Sequence, residues 1–322
     1  MGGAYVVGDD RSLLDFGSAP FRGGLPTTEA VKSRLAYWGV RAASGFMRIW
    51  PLWVVQPLGG AAGVVASLLL PRRRRMAGRH AGRTGLEEKS GSRSRAVRKM
   101  FASYGQYWGE SLWAAPRNVR RMAGRFDLDG FDVLENALDD GKGVVVVLPH
   151  LGNWEMAGAA VWDMDVEVVA VAENLANSYI RDWFSRMRGL TGISVVFARR
   201  GILGELEKKL DSRTAVCLPS DRDLSGRGIP VQFFGEETTL PAGALLLGIR
   251  SGRPVVPAAV YFEKKSRYRA VLRPPLAIPR EGSLSERLSK GAQLMACAFE
   301  DLIKAAPEQW HLLQPNWPSD RV

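Results

Sequence analysis

Residues 143–148 read GVVVVL, and four more short apolar runs follow: VEVVAVAE at 166–173, ISVVFA at 193–198, TAVCLPS at 214–220 and PVVPAAVYF at 254–262. Runs rich in β-branched residues without polar alternation suit strands buried on both faces. Helical patterns separate them, from Asn153 onward, near 177–190, at 201–210 and at 241–251, with a last one at about 283–305. Upstream, FDLDGFDVLENALDDGKG reads as strand, turn, helix and turn leading into GVVVVL, and VQFFGEETTLP reads as a hairpin. Strands that alternate with helices predict an α/β fold with a mostly parallel central sheet flanked by helices. A chain of 322 residues is long enough to bury a large core of this kind.

The N-terminal quarter has a different character. Residues 1–26 are glycine-rich, without a sustained period, and read as a tail with no signal-peptide pattern. Val31, Leu35, Trp38, Ala42, Phe46 and Ile49 then fall on one helical stripe, edged by Arg34, Arg41 and Arg48. An amphipathic helix lying in a membrane interface looks like this, and so does a helix packed on the protein's own core. The arginine row favours the interface. Residues 49–70 carry no charge before the Arg72–Arg75 cluster, but Pro51, Pro57, Gly59 and Gly60 interrupt them. They are long enough for a membrane-spanning helix, but the interruptions favour a hairpin of short membrane-associated helices, with the arginines at anionic headgroups in either case. Residues 72–98 read as a basic connection ahead of a helix at 95–115. Three parts result: a tail at 1–26, interfacial helices at 27–75 and an α/β domain at 76–317.

Charge supports the division. Residues 1–100 hold 17 Lys and Arg against 6 Asp and Glu, which accounts for the whole formal charge of +11. Such a basic appendage meets an anionic partner, a membrane surface or a nucleic acid. Cys217 and Cys297 lie far apart with no CxxC spacing, and His80 and His311 have no metal-ligand company, so neither a disulfide framework nor a metal site is expected.

The chemistry centres on His150, two residues beyond GVVVVL, where reactive groups of α/β sheets gather. Asn153 is expected to cap the following helix, which puts Glu155 in its first turn, near enough to fold back and fix the imidazole. A histidine so held can take a proton from a hydroxyl that attacks a carbonyl. Backbone N–H groups near Gly152–Asn153, or an arginine, are candidate donors to the developing oxyanion. No Ser or Cys flanks His150, and Cys217 is read as core, so direct transfer without an acyl-enzyme is expected. Glu173, Asp221 and Asp223 can accept hydrogen bonds from substrate hydroxyls or pair with Arg188 or Arg222. TTLPAG reads as a helix start with a threonine cap, and Trp310, His311 and Trp317 as packing.

Taken in order, HLGNWE at 150–155, VAENL with Glu173, SRMRGL with Arg188, SDRDL with Asp221, FFGEETTLPAG and PEQWHLLQPNW resemble the lysophospholipid acyltransferase superfamily. The resemblance spans roughly residues 30–317 and lies in the lipid A lauroyl/myristoyl acyltransferase branch, nearest the actinobacterial phosphatidylinositol mannoside acyltransferases. It implies transfer of an acyl chain from acyl-CoA, a substrate rather than a cofactor, to a mannose hydroxyl of a membrane glycolipid. It makes His150 the general base with Glu155 orienting it, and assigns Glu173, Arg188, Asp221, Arg222 and Asp223 to substrate binding. It also implies work at the cytoplasmic face of the cell membrane, with residues 31–75 on the anionic surface and no nucleic-acid partner. This chain reads SDRDL where the mannoside branch has AERDL, a carboxylate one methylene shorter, which bears on the acceptor more than on the reaction. Other acceptors with the same HxxxxE chemistry, a thioesterase, and a basic binding module without activity remain the competing readings.

Overall fold

The computed structural model describes residues 28–161, 164–173, 175–199, 201–224 and 226–321. The tail expected at 1–26 lies outside them. Seven helices precede the central sheet or open it: α1 (Thr28–Arg48), α2 (Leu52–Leu69), α3 (Pro71–Arg83), α4 (Leu86–Ser90), α5 (Arg93–Trp113), α6 (Pro116–Val119) and, after β1 (Phe126–Asp129), α7 (Phe131–Leu138). The sheet region continues through β2 (Val144–Leu148), α8 (Ala157–Ala160), β3 (Glu167–Ala172), α9 (Ser178–Leu190), β4 (Ile193–Phe197), α10 (Ile202–Lys209) and β5 (Thr214–Pro219). A hairpin of β6 (Ile229–Phe233) and β7 (Glu236–Leu240) then leads into α11 (Gly243–Ser251), β8 (Val255–Glu263), β9 (Arg267–Leu272) and α12 (Leu284–Ala305).

The seven-stranded sheet runs in the order β1-β9-β8-β2-β5-β3-β4. Strands β8, β2, β5, β3 and β4 are mutually parallel, while β9 turns back antiparallel to β8 and carries β1 beside it. β2 sits at the centre and every one of its residues is buried, as its unbroken valines require. β9 escapes the sequence reading because RYRAVL interleaves arginines with its inward residues and follows a turn without glycine. That turn instead holds Lys265 and Ser266 at φ +58° and +55°. The threonine cap expected at TTLPAG is absent: Thr238 and Thr239 lie in β7 and α11 begins only at Gly243.

The N-terminal region departs most from expectation. Residues 52–69 form one continuous helix instead of a hairpin, and the expected connection at 72–98 is largely helical. Pro57 lies in the second turn of α2 and removes one internal hydrogen bond, yet the helix continues through it. The glycines are packing positions. Gly59 and Gly63 on α2 meet Gly105 and Gly109 on α5, so that a Cβ on Gly63 would lie 2.0 Å from the Phe101 carbonyl oxygen and one on Gly105 2.2 Å from that of Gly59. Two small-xxx-small faces thus let the backbones touch. α3 buries a narrow strip of Met76, Ala77, Gly78, His80 and Ala81, which an arginine-rich sequence hides.

The stripe read on α1 points outward. Val31, Leu35, Trp38, Ala42, Phe46 and Ile49 are all exposed, and the helix packs instead through Tyr37 and Ser44. Trp53, Val65, Leu68 and Leu69 add an exposed apolar face on α2. Among the described residues α2 is the one helix long and apolar enough to cross a membrane, with 28% of it buried against the protein.

The glycine contacts generate a contrast. Gly63→Ala is expected to lower the denaturant unfolding free energy by about 1–3 kcal/mol through overpacking. Gly60→Ala, whose Cβ would meet nothing nearer than 3.5 Å, is expected to leave it unchanged or raise it. Equal behaviour of the two would contradict close packing of α2 on α5.

Candidate active site

β2 and β5 are neighbours in parallel register, with Leu148 beside Pro219. Two residues beyond each strand end stand His150 and Asp221, so the register itself brings them together. The Ser220 N–H continues the ladder by donating to the Leu148 carbonyl at 3.0 Å. His150 Nδ1 then lies 2.6 Å from Asp221 Oδ1. Asp221 Oδ2 accepts from the His150 backbone N–H at 3.0 Å and from Trp310 Nε1 at 2.8 Å. The carboxylate is fully buried. Burial alone would raise its pKa, but the facing imidazole, the indole and the backbone donor outweigh it and hold the pKa below the usual aspartate value. Nδ1–H therefore donates to Asp221, which leaves Nε2 with the lone pair.

Glu155, expected in that place, is elsewhere. Its two oxygens accept from Arg188 Nε and Nη2, both at 2.6 Å, and from the Tyr107 hydroxyl at 3.0 Å. Adjacency in sequence misleads here because the chain between the two residues turns through Gly152 and is then 3₁₀, not a helix capped by Asn153. Asn153 makes no cap and gives its side-chain amide to Glu110. The Glu155–Arg188 pair pins the segment after His150 to α9. Burial would weaken the Arg188 charge, but Glu155 more than restores it and raises its pKa.

The loop is also pinned from below. Gly152 has φ +61°, and a Cβ there would lie 1.8 Å from the Val260 carbonyl oxygen, so only glycine fits. Its N–H donates to the Gln309 carbonyl at 2.9 Å and that of Asn153 to Val260 at 3.0 Å. Leu151 N–H is engaged by Pro149 and the His311 N–H by the His150 carbonyl. The backbone donors expected to serve an oxyanion at Gly152–Asn153 are thus spent on holding the loop. Trp310, read as packing, is fully buried and also fixes Asp221. The PEQWH block carried that signal, but only the bridge between Leu151 and Trp310 reveals what it holds.

His150 opens on a cavity of about 700 Å³, within the size range of small-ligand sites. Its floor is the face of the sheet, with Val146 and Leu148 from β2, Ala170 from β3 and Cys217 from β5, left uncovered because α8 is only one turn long. Phe184 of α9 and Trp108 of α5 form part of the walls. Cys217 thus faces the cavity, where its apolar surroundings push the thiol up to about 12 and keep it protonated and unreactive. Glu173 lies at the same cavity, half-exposed, 3.5 Å from Arg222. Asp223 also borders it but accepts from the Gly228 N–H and the Thr239 hydroxyl, so it braces the β6–β7 hairpin. No cluster of metal-ligating side chains occurs among the described residues.

The comparisons with known proteins converge on one family. The pattern of the bacterial lipid A biosynthesis acyltransferases matches residues 28–319. The phosphatidylinositol mannoside acyltransferase of Mycolicibacterium smegmatis is 32% identical over 227 residues, 70% of this chain and 73% of its own length. That of Mycobacterium tuberculosis is 33% identical over 223 residues, 68% and 69% of the two chains. The lipid A biosynthesis palmitoleoyltransferase of Escherichia coli is 25% identical over 285 residues, 85% and 89% of the two chains. Matched from α1 to the residues beyond Trp317, with the histidine and its carboxylate at adjacent strand ends, this chain belongs to the bacterial lipid A biosynthesis acyltransferase family.

Proposed function

We propose that the protein transfers a long acyl chain from acyl-CoA to a mannose hydroxyl of a phosphatidylinositol mannoside, with His150 as general base and Asp221 holding it. The 2.6 Å contact of His150 Nδ1 with the buried Asp221 carries this reading. The acceptor hydroxyl gives its proton to Nε2 as its oxygen bonds to the thioester carbonyl carbon. Asp221 stabilises the imidazolium that forms. When the tetrahedral intermediate collapses, the C–S bond breaks and the proton passes to the departing CoA sulfur. The unreactive Cys217 thiol supports direct transfer without an acyl-enzyme. The apolar floor of the cavity suits the acyl chain, and Glu173 and Arg222 at its border suit a polyhydroxylated acceptor. With the loop amides spent, Arg222, whose Nε is buried and without a partner among the described residues, is the candidate oxyanion donor. The mannoside acceptor is favoured by the two relatives above 30% identity.

The exposed apolar faces of α1 and α2, bordered by Arg34 and Arg72–Arg75, suit an anionic membrane surface from which a lipid acceptor would reach the cavity. Acyl-CoA as donor puts that surface on the cytoplasmic side.

Two experiments test this account. With palmitoyl-CoA and mannosylated phosphatidylinositol in vesicles, the parent chain is expected to form acylated glycolipid and His150→Ala to lose at least ~10² of that rate. Equal rates would remove His150 from the chemistry. Thioester consumed in a His150-dependent way without acylated mannoside would show that the acceptor is another lipid or water.

The second concerns His311, which borders the cavity and whose Nε2 lies 2.9 Å from the Ser103 hydroxyl. Burial first, then nearby His150, push its pKa down from 6.5 to about 3, against a smaller opposing pull from Asp221. The folded state keeps this ring neutral while the unfolded chain binds a proton, so its contribution to stability is present above pH 6.5 and is lost as pH falls from 6.5 toward 3. Between pH 7 and pH 5 the parent is expected to lose about 2 kcal/mol more unfolding free energy than His311→Gln. Parallel losses would show that the ring is protonated in the fold.

A further inference from the structure

Glu110 lies fully buried in α5 and belongs neither to the His150–Asp221 pair nor to the Glu155–Arg188 pair. Three side-chain amides converge on it. Gln56 Nε2 donates to Oε1 at 2.7 Å, Gln106 Nε2 to the same oxygen at 3.1 Å, and Asn153 Nδ2 to Oε2. Among the described residues no cation pairs with it, and burial raises its pKa despite these donors. A carboxyl group here is costly, and an apolar side chain would fill the space at less expense.

The three donors come from different places. Gln106 lies one turn away on α5 itself. Gln56 lies on α2, three residues from the exposed Trp53, and its own Oε1 accepts from the Ser266 hydroxyl at 2.6 Å in the turn between β8 and β9. Asn153 is three residues beyond His150, and its side-chain oxygen is buried with no partner among the described residues. Glu110 is therefore the side-chain link between the His150 loop and α2. The backbone bonds of Gly152 and Asn153 hold that loop to the sheet and the C-terminal segment, but not to the N-terminal helices.

We propose that Glu110 is a positioning residue for acyl transfer: through Asn153 it sets the place of the His150 loop, and through Gln56 it makes the seating of α2 part of that setting. The proposal rests on His150 as the base. It makes the apolar helix that faces the membrane a structural component of the active site, because a shift of α2 moves the Gln56 amide that donates to the carboxylate on which the loop depends.

The test compares kcat and KM for acyl-CoA in the full chain, with circular dichroism as the check on folding. Glu110→Ala is expected to lower kcat by ~10- to 10²-fold, the cost of a misplaced base, with KM changed less than about threefold because the sheet floor of the cavity is untouched. Glu110→Gln is expected to recover most of kcat, since Gln at this position accepts from Gln56 and, after a flip of the Asn153 amide, donates to its oxygen. Combining Glu110→Ala with Asn153→Ala should cost little more than either change alone, because both break one link. A folded Glu110→Ala enzyme with the parent kcat, a Gln variant as slow as Ala, or losses that multiply would each overturn the proposal. Should Glu110→Ala fail to fold, Gln56→Ala, which leaves the Gln106 and Asn153 amides on the carboxylate, carries the test. A severalfold fall in its kcat is expected, and the parent kcat would overturn the coupling to α2. Failure of the base itself is distinguished by His150→Ala, which then keeps the parent rate whatever Glu110 does.

Discussion

A buried aspartate facing a partly exposed histidine is the interaction on which the site depends, and the register of two parallel strands creates it. Leu148 and Pro219 are partners in the β2–β5 ladder, so His150 and Asp221 leave the sheet side by side. A buried carboxylate is costly unless its oxygens are satisfied. Here the imidazole, a backbone amide and the Trp310 indole satisfy them. Removing any one donor would leave the others to carry a buried charge, which is why a tryptophan from the C-terminal segment is as much part of the arrangement as the loop that follows β2.

Around this pair the structure spends its polar groups on rigidity. Loop amides bond to Val260 and Gln309, Glu155 and Arg188 close one side, and Glu110 with its amides closes another. The cavity that remains is apolar underneath and polar at its border, which matches a substrate with an acyl chain at one end and hydroxyls at the other. The short α8 matters as much as any side chain, because a full crossover helix there would cover the sheet face that forms the floor.

Much of the fold is legible in the sequence because five short apolar runs separated by helical periods leave few arrangements open. The runs at 144–148 and 214–219 became strands within a residue or two of their expected bounds, and the exposed stripe on α1 has the composition read for it. Where the reading fails, a three-dimensional contact overrides a local signal. Pro57 and the glycines of α2 look like breaks until α5 packs against them. His150 and Glu155 look like partners because they are only five positions apart, whereas the true partner lies 71 positions away and is adjacent only through strand register. Glu110 gives no linear signal, since two of the amides that it gathers, Gln56 and Asn153, lie 54 and 43 positions away.

The most direct measurement of this account is proton NMR of the chain labelled with 15N-histidine, observing the Nδ1 proton of His150 in the parent, Asp221→Asn and Glu155→Gln chains. A proton held between imidazole and a buried carboxylate resonates far downfield. The account predicts that this signal is present in the parent, shifted or lost in Asp221→Asn and kept in Glu155→Gln. Loss in Glu155→Gln with retention in Asp221→Asn would contradict it and return the orienting role to Glu155.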